Sequence, residues 1–113
     1  MNLESLAAAY YSEPQQAAAL YEGKTYLFPA VTVDEVSSEH LTPQSYEKGY
    51  ELYLDSGPVR FRPRYWQDLD SLGPGFVLDI VGEVRGWMRN NIHVVDCVFY
   101  VLEGGEIPEP YGY

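Results

Sequence analysis

The sequence predicts a mainly β protein, a five-stranded antiparallel Greek-key barrel behind an N-terminal helical segment. Two observations lead there. Apolar residues recur every three to four positions as far as Tyr21, then every second position from Thr25 onward. Five strand-length runs follow, with a long connector between the third and the fourth, the order that closes a small Greek-key barrel. A chain of 113 residues has room for one core. It divides into a helical segment over 1–24 that packs on the barrel, a barrel over 25–102 and a tail over 103–113.

Leu3, Leu6, Ala7 and Tyr10 draw an apolar stripe along a first helix. Ser12-Glu13-Pro14-Gln15 breaks it: Ser12 can cap, Pro14 is tolerated only in a first turn, and Gln15 stands where a capping box needs it. A second short helix, Gln15–Tyr21, stops at Gly23. The first strand runs from Tyr26 to Val36, and Pro29 within it demands an edge or a bulge. A polar stretch, 37–49, precedes a second strand at Tyr50–Leu54, and Asp55-Ser56-Gly57-Pro58 reads as a turn. Val59–Arg62 is a third strand ended by Pro63. The connector 64–75 closes with Gly73-Pro74-Gly75. Phe76, Leu78, Ile80, Gly82 and Val84 alternate along a fourth strand, Asn90-Asn91 forms a turn, and Ile92–Leu102 is the fifth. That last strand is apolar on both faces, which predicts that the helical segment covers part of the barrel's outside.

Composition narrows the function classes. Hydrophobic residues make up 46% and charged residues 21%, the balance of a folded domain rather than a disordered chain. Eleven tyrosines favour half-buried sheet surfaces and interfaces, since the ring is apolar and the hydroxyl still needs a partner. The net charge of −10 repels polyanions at long range, so tight non-specific nucleic-acid or anionic-membrane binding is disfavoured. Cys97 is the only cysteine, which leaves no intrachain disulfide and no thiolate zinc site. The start, Met1-Asn2-Leu3-Glu4, has no basic n-region or apolar h-region, and no apolar run approaches the ~20 residues of a membrane span. The expectation is a soluble chain with no membrane segment, the cytoplasm favoured and the compartment itself open.

The residues also resemble a known family. Ala17-Ala18-Ala19-Leu20-Tyr21-Glu22-Gly23-Lys24 is similar to the alanine-rich helix ending in Tyr-x-Gly-Lys that opens the tRNA_anti-like OB domains. Gly75-Phe76-Val77-Leu78-Asp79-Ile80-Val81-Gly82-Glu83-Val84 resembles that family's Gly-x-x-Val-x-Val-x-Gly-x-Val strand. Val94-Val95-Asp96-Cys97 is similar to its closing strand. The resemblance spans roughly residues 10 to 102 and implies a five-stranded antiparallel OB-type barrel. It departs in the first strand, where the family carries a glycine and this chain has Ala30 beside Pro29. The family name implies kinship with anticodon-binding domains, and function does not follow from the fold.

The catalytic inventory is thin. His40 and His93 have no serine or cysteine motif beside them, Cys97 reads as a buried core thiol, and Asp68 and Asp70 read as caps of a helical turn. Gly73-Pro74-Gly75 lacks the Lys and Ser/Thr of a phosphate-binding loop. No catalytic residue, metal site or cofactor is expected. The positive charge, by contrast, is unevenly placed: five of the seven basic residues fall in two stretches. Arg60, Arg62 and Arg64 alternate along the third strand and run into Tyr65 and Trp66, while Arg85, Trp87 and Arg89 alternate into the last hairpin. In OB barrels the ligand surface is the face of strands two and three with the adjoining loops. Guanidinium groups beside aromatic rings suit stacked bases, and they serve equally as partners for neighbouring carboxylates. Two readings follow: a non-enzymatic module for a protein or peptide, including a second copy of itself, and a weak binder of single-stranded nucleic acid through this arginine-aromatic set.

Overall fold

The computed structural model describes residues 1–37, 53–65, 69, 71–88 and 90–103. Two helices come first, α1 (Leu3–Ser12) and α2 (Pro14–Tyr21). Asn2 caps α1, its Oδ1 accepting from the Ser5 amide at 3.1 Å. The predicted Ser12–Gln15 capping box is not the start of α2. Ser12 is still helical, Glu13 is the N-cap without a side-chain cap bond, and Pro14 starts the helix, where its missing N–H costs nothing. Gly23, at φ +82°, ends the segment as expected.

Among the described residues six strands follow: β1 (Thr25–Thr32), β2 (Glu35–Val36), β3 (Leu54–Ser56), β4 (Val59–Pro63), β5 (Val77–Met88) and β6 (Asn91–Glu103). They form one sheet in the order β1-β5-β6-β4-β3-β2. The expected five antiparallel strands are corrected in two respects. The sheet is mixed, because β4 and β6 run parallel while every other pair is antiparallel. The chain leaves β4, crosses through the connector and β5, and returns along β4 in the same direction, as a crossover must. The predicted first strand is divided at Val33-Asp34, where its partner changes. Val33 exchanges backbone hydrogen bonds with the Gly75–Phe76 segment beside β5, and the Asp34 amide then donates to the Asp55 carbonyl on β3 at 2.8 Å. β1 and β2 are thus the two edges of the sheet, and the ladder between them is not closed. The sheet is nonetheless strongly curled: Phe28 of β1 and Phe61 of β4, on strands that are not neighbours, meet edge-on at 5.5 Å.

Turn positions also differ. Asp55 and Ser56 belong to β3, so the turn is Gly57-Pro58 alone, with Gly57 at φ +55° and its amide on the Asp34 carboxylate at 2.6 Å. The expected second strand overlaps β3 only at Leu54; residues 50–52 lie outside the described set. Met88 pairs with Asn91, so Asn91 is already ladder rather than turn.

Pro29 has both expected features. It lies on an edge strand, and the β1–β5 register shifts between Phe28 and Val31. In this bulge Ala30 takes φ +50°, with its amide on Asp79 Oδ1 at 3.0 Å. A left-handed Cβ costs ~1–2 kcal/mol, and glycine's extra chain entropy returns part of that. Ala30→Gly is therefore expected to stabilise the fold by about 0.5–1 kcal/mol, raising Tm by ~4 °C in calorimetry. An unchanged or lower Tm would contradict the strain.

One core joins helices and sheet. Leu6, Ala7, Tyr10 and Ala17 pack with Phe28, Leu54, Phe61, Leu69, Leu78, Ile80, Val94 and Phe99. The helical segment therefore lines the interior, contrary to the expectation that it covers the outside of the last strand. On that outside, Val95 and Val98 are half-buried and Tyr100 is exposed. No helix among the described residues is long and apolar enough to cross a membrane.

Candidate functional site

On β4 the expected alternation holds. Val59, Phe61 and Pro63 point inward, and Arg60 and Arg62 share the outward face. Across the sheet, Arg60 stands beside Asp55 on one side and His93 on the other. Its guanidinium donates from Nε to Asp55 Oδ1 at 3.0 Å and from Nη2 to Oδ2 at 3.2 Å. It also stacks 3.6 Å from the centroid of the Tyr53 ring. The fork is thus spent on a bidentate bond, with under a fifth of either side chain accessible. Tyr53 and Asp55 were not selected from sequence, although both flank the inward Leu54 and must face outward with Arg60.

Arg64 and Tyr65 lie beyond the end of β4, beside an irregularity in β6. Both ladders of β6 shift register around Asp96, which takes φ +55°. The Arg64 amide donates to the Cys97 carbonyl at 2.8 Å, and its guanidinium grips Asp96 through bonds of 2.9 and 3.1 Å. These bonds, then the charge of Asp96, push the Arg64 pKa further up. Asp96 is therefore an anchor for the chain after β4, as a structural acceptor rather than a base. Tyr65 is exposed, and Trp66 lies outside the described residues.

The third location is the far end of β5. The register of β5 against β6 slips between Val84 and Gly86, a bulge in the ladder. Trp87 pairs with the inward Ile92 and turns to α1. Its ring meets Tyr11 edge-on at 5.2 Å and Tyr10 at 6.5 Å. Arg85 stays in solvent, with Nη2 on Glu83 at 3.3 Å. Arg89, the third member of the expected set, lies outside the described residues.

Here α2 and β5 border an open, shallow pocket of about 390 Å³ lined by Tyr10, Gln15, Ala18, Glu22, Arg85 and Trp87 among others. The Tyr10 hydroxyl donates to Glu22 Oε2 at 3.1 Å. Burial first, and then Glu22, push the Tyr10 pKa well above its ordinary value, so the hydroxyl remains a donor. Gly86, buried at φ +123°, makes room for the carboxylate: a Cβ there would fall 2.7–2.8 Å from it. Glu22, Tyr10 and Tyr11 were missed because this proximity depends on the paths of α1 and α2. The glycine within the strand pattern was the available signal.

Of the candidate arginine-aromatic residues, the described ones lie on β4, just beyond its end and towards the end of β5, while Trp66 and Arg89 lie outside the described set. Arg60, Arg64 and Arg85 each engage a carboxylate. For catalysis, Cys97 is buried, its Sγ lies 3.4 Å from the Val94 carbonyl, and burial pushes its thiol pKa far up, which removes the nucleophilic thiolate. Among the described residues no three His, Cys, Asp or Glu side chains gather to hold a metal ion. No protein-family model, curated protein or solved structure matches the chain.

Proposed function

We propose that this chain is a non-enzymatic OB-type binding module of the tRNA_anti-like kind whose partner is a protein or peptide. The barrel reading is supported by the path of residues 25–36. Counted as one bent strand, β1 and β2 touch both the second and the fourth strand of a five-stranded order, and the third runs parallel to the fifth. Such an order supports the reading of a partly open OB barrel.

The observation that carries the choice of partner is the outer face of β1, β5 and β6. Leu27, Val81 and Val98 form a row across these strands, and Tyr100 and Leu102 continue it along β6. Leu27, Tyr100 and Leu102 are each about half exposed, at 49%, 47% and 51%. An apolar and aromatic surface of this kind suits a protein partner, and −10 of net charge does not weaken it. A polyanion, in contrast, would have to displace Asp55, Asp96 and Glu83 from the arginines it needs. The nucleic-acid alternative draws on the Arg60–Tyr53 stack and Arg62.

Peptide-library display against the immobilised chain, paired with fluorescence anisotropy of ~12-nucleotide single strands at low salt, tests the two. Selected peptides should bind and lose about tenfold affinity on Leu27→Glu or Tyr100→Glu, and oligonucleotides should not bind. Salt-sensitive oligonucleotide binding lost in Arg62→Glu, without peptide enrichment, would overturn the proposal.

A further inference from the structure

The pocket between α2 and the end of β5 has a chemistry of its own. Its carboxylate, Glu22, is positioned from two sides, by the Tyr10 hydroxyl on Oε2 and by the Gly86 backbone that lets it approach. Its aromatic wall, Trp87, is held by Tyr10 and Tyr11 and still 39% exposed. The cation among the lining residues, Arg85, donates to Glu83. A carboxylate next to an immobilised indole is the arrangement that receives a cationic side chain, through an ion pair on one side and the ring quadrupole on the other. Placing both groups before the ligand arrives spares their ordering at the moment of binding. The excess of seventeen carboxylates over seven Lys and Arg draws cations to the surface in the first place.

We infer that this pocket binds a lysine or arginine side chain of the partner, set between Glu22 and the Trp87 ring. The inference rests on the reading of the chain as a protein-binding module and deepens it. Neighbouring geometry fits a peptide ligand. Gly23 and Lys24 pair with Val84, and β1 begins its pairing with β5 only at Glu83, so α2 and the pocket occupy the flank of β5 past the end of β1. Gln15 and Ala18 of α2 line the same pocket as Glu22.

The test is an amide-resolved NMR titration of the full chain with acetyl-Gly-Gly-Lys-Gly-Gly-amide, and with the same peptide carrying norleucine or glutamate at its centre. The lysine peptide should shift Gly86, Ala18 and the Trp87 indole N–H along one saturable curve. Norleucine should bind at least about fivefold more weakly, and Glu22→Gln and Trp87→Leu should each weaken the lysine peptide about fivefold. Glu4→Gln, on the exposed side of α1, should change nothing. The Glu22→Gln spectrum, compared with the parent's, confirms an intact fold and keeps the test decisive if Trp87→Leu does not fold. Equal binding of norleucine or glutamate, shifts spread over the acidic surface, or indifference to Glu22→Gln would each overturn the pocket. If the lysine peptide fails while display-selected peptides still bind the Leu27–Tyr100 face, the pocket falls and the module reading stands. If the lysine peptide binds as stated and no display peptide does, the pocket stands without the wider face.

Discussion

Phe61→Ala is expected to lower the unfolding free energy by about 4 kcal/mol, read as a shift of the urea midpoint at unchanged slope. Phe61 is fully buried, and so are its ladder partners Leu54 on β3 and Val94 on β6, so no solvent can enter to relieve the cavity. It also sits on the strand where the sheet changes from antiparallel to parallel pairing. The lost contact with Phe28 adds to the transfer term, since an edge-on pair is worth ~1 kcal/mol beyond its buried area. Phe28→Ala should therefore couple with Phe61→Ala, the double variant losing about 1 kcal/mol less than the two single losses together. A loss below ~1.5 kcal/mol for Phe61→Ala would mean that the β4 interior is not packed as described.

Gly82→Ala is expected to cost about 3 kcal/mol although it adds one methyl group. The added Cβ would lie 2.6 Å from Val94 Cγ1, 2.7 Å from Cys97 Sγ and 3.3 Å from the Val95 carbonyl oxygen. Val94 and Cys97 are short, fully buried side chains with little room to turn away, and the carbonyl would also have to give by a few tenths of an ångström. Overpacking of a dense interior has no inexpensive relaxation. Cys97→Ala removes one of the clashing atoms, so the double variant should lose clearly less than the sum of the singles. Chemical denaturation of the four proteins checks both statements, and strict additivity would place the clash elsewhere.

What the sequence disclosed and what it concealed divide along a physical line. Period-two alternation located β4, β5 and β6, because one buried face imposes it residue by residue. Pro29 announced a bulge through its own chemistry, since it has no N–H to give a ladder. The partner change at Val33-Asp34 was not legible, because it depends on where β3 and β5 lie and not on either residue. The parallel pairing of β4 with β6 was hidden for the same reason, as both strands look alike in either direction. At the candidate site, the shared face of Arg60 and Arg62 was read correctly from their spacing. For Arg85 and Trp87 the spacing gave no guide to their partners, because the register of β5 against β6 shifts between Val84 and Gly86. Tyr53 over Arg60 was within reach of simple alternation from Leu54; Glu22 beside Trp87 was not, since it arises only when α2 is laid along β5.

The pairing of β1 has a consequence for how the molecule comes into being. This strand precedes the rest of the sheet in the chain, yet its ladder partner among the described residues is β5, so Thr25 must wait for Glu83 and Phe28 for Ile80. The two hairpins, β3 with β4 and β5 with β6, can close early because their halves are adjacent in the chain. Everything that unites them is long-range, which places the fold among the slow, high-contact-order architectures that assemble in milliseconds to seconds. Until β5 arrives, the nascent chain displays Leu27 and Phe28 on an unpaired strand. A bend at Pro29 and Ala30 breaks the regularity of that strand and makes it a poor template for another copy in the interval.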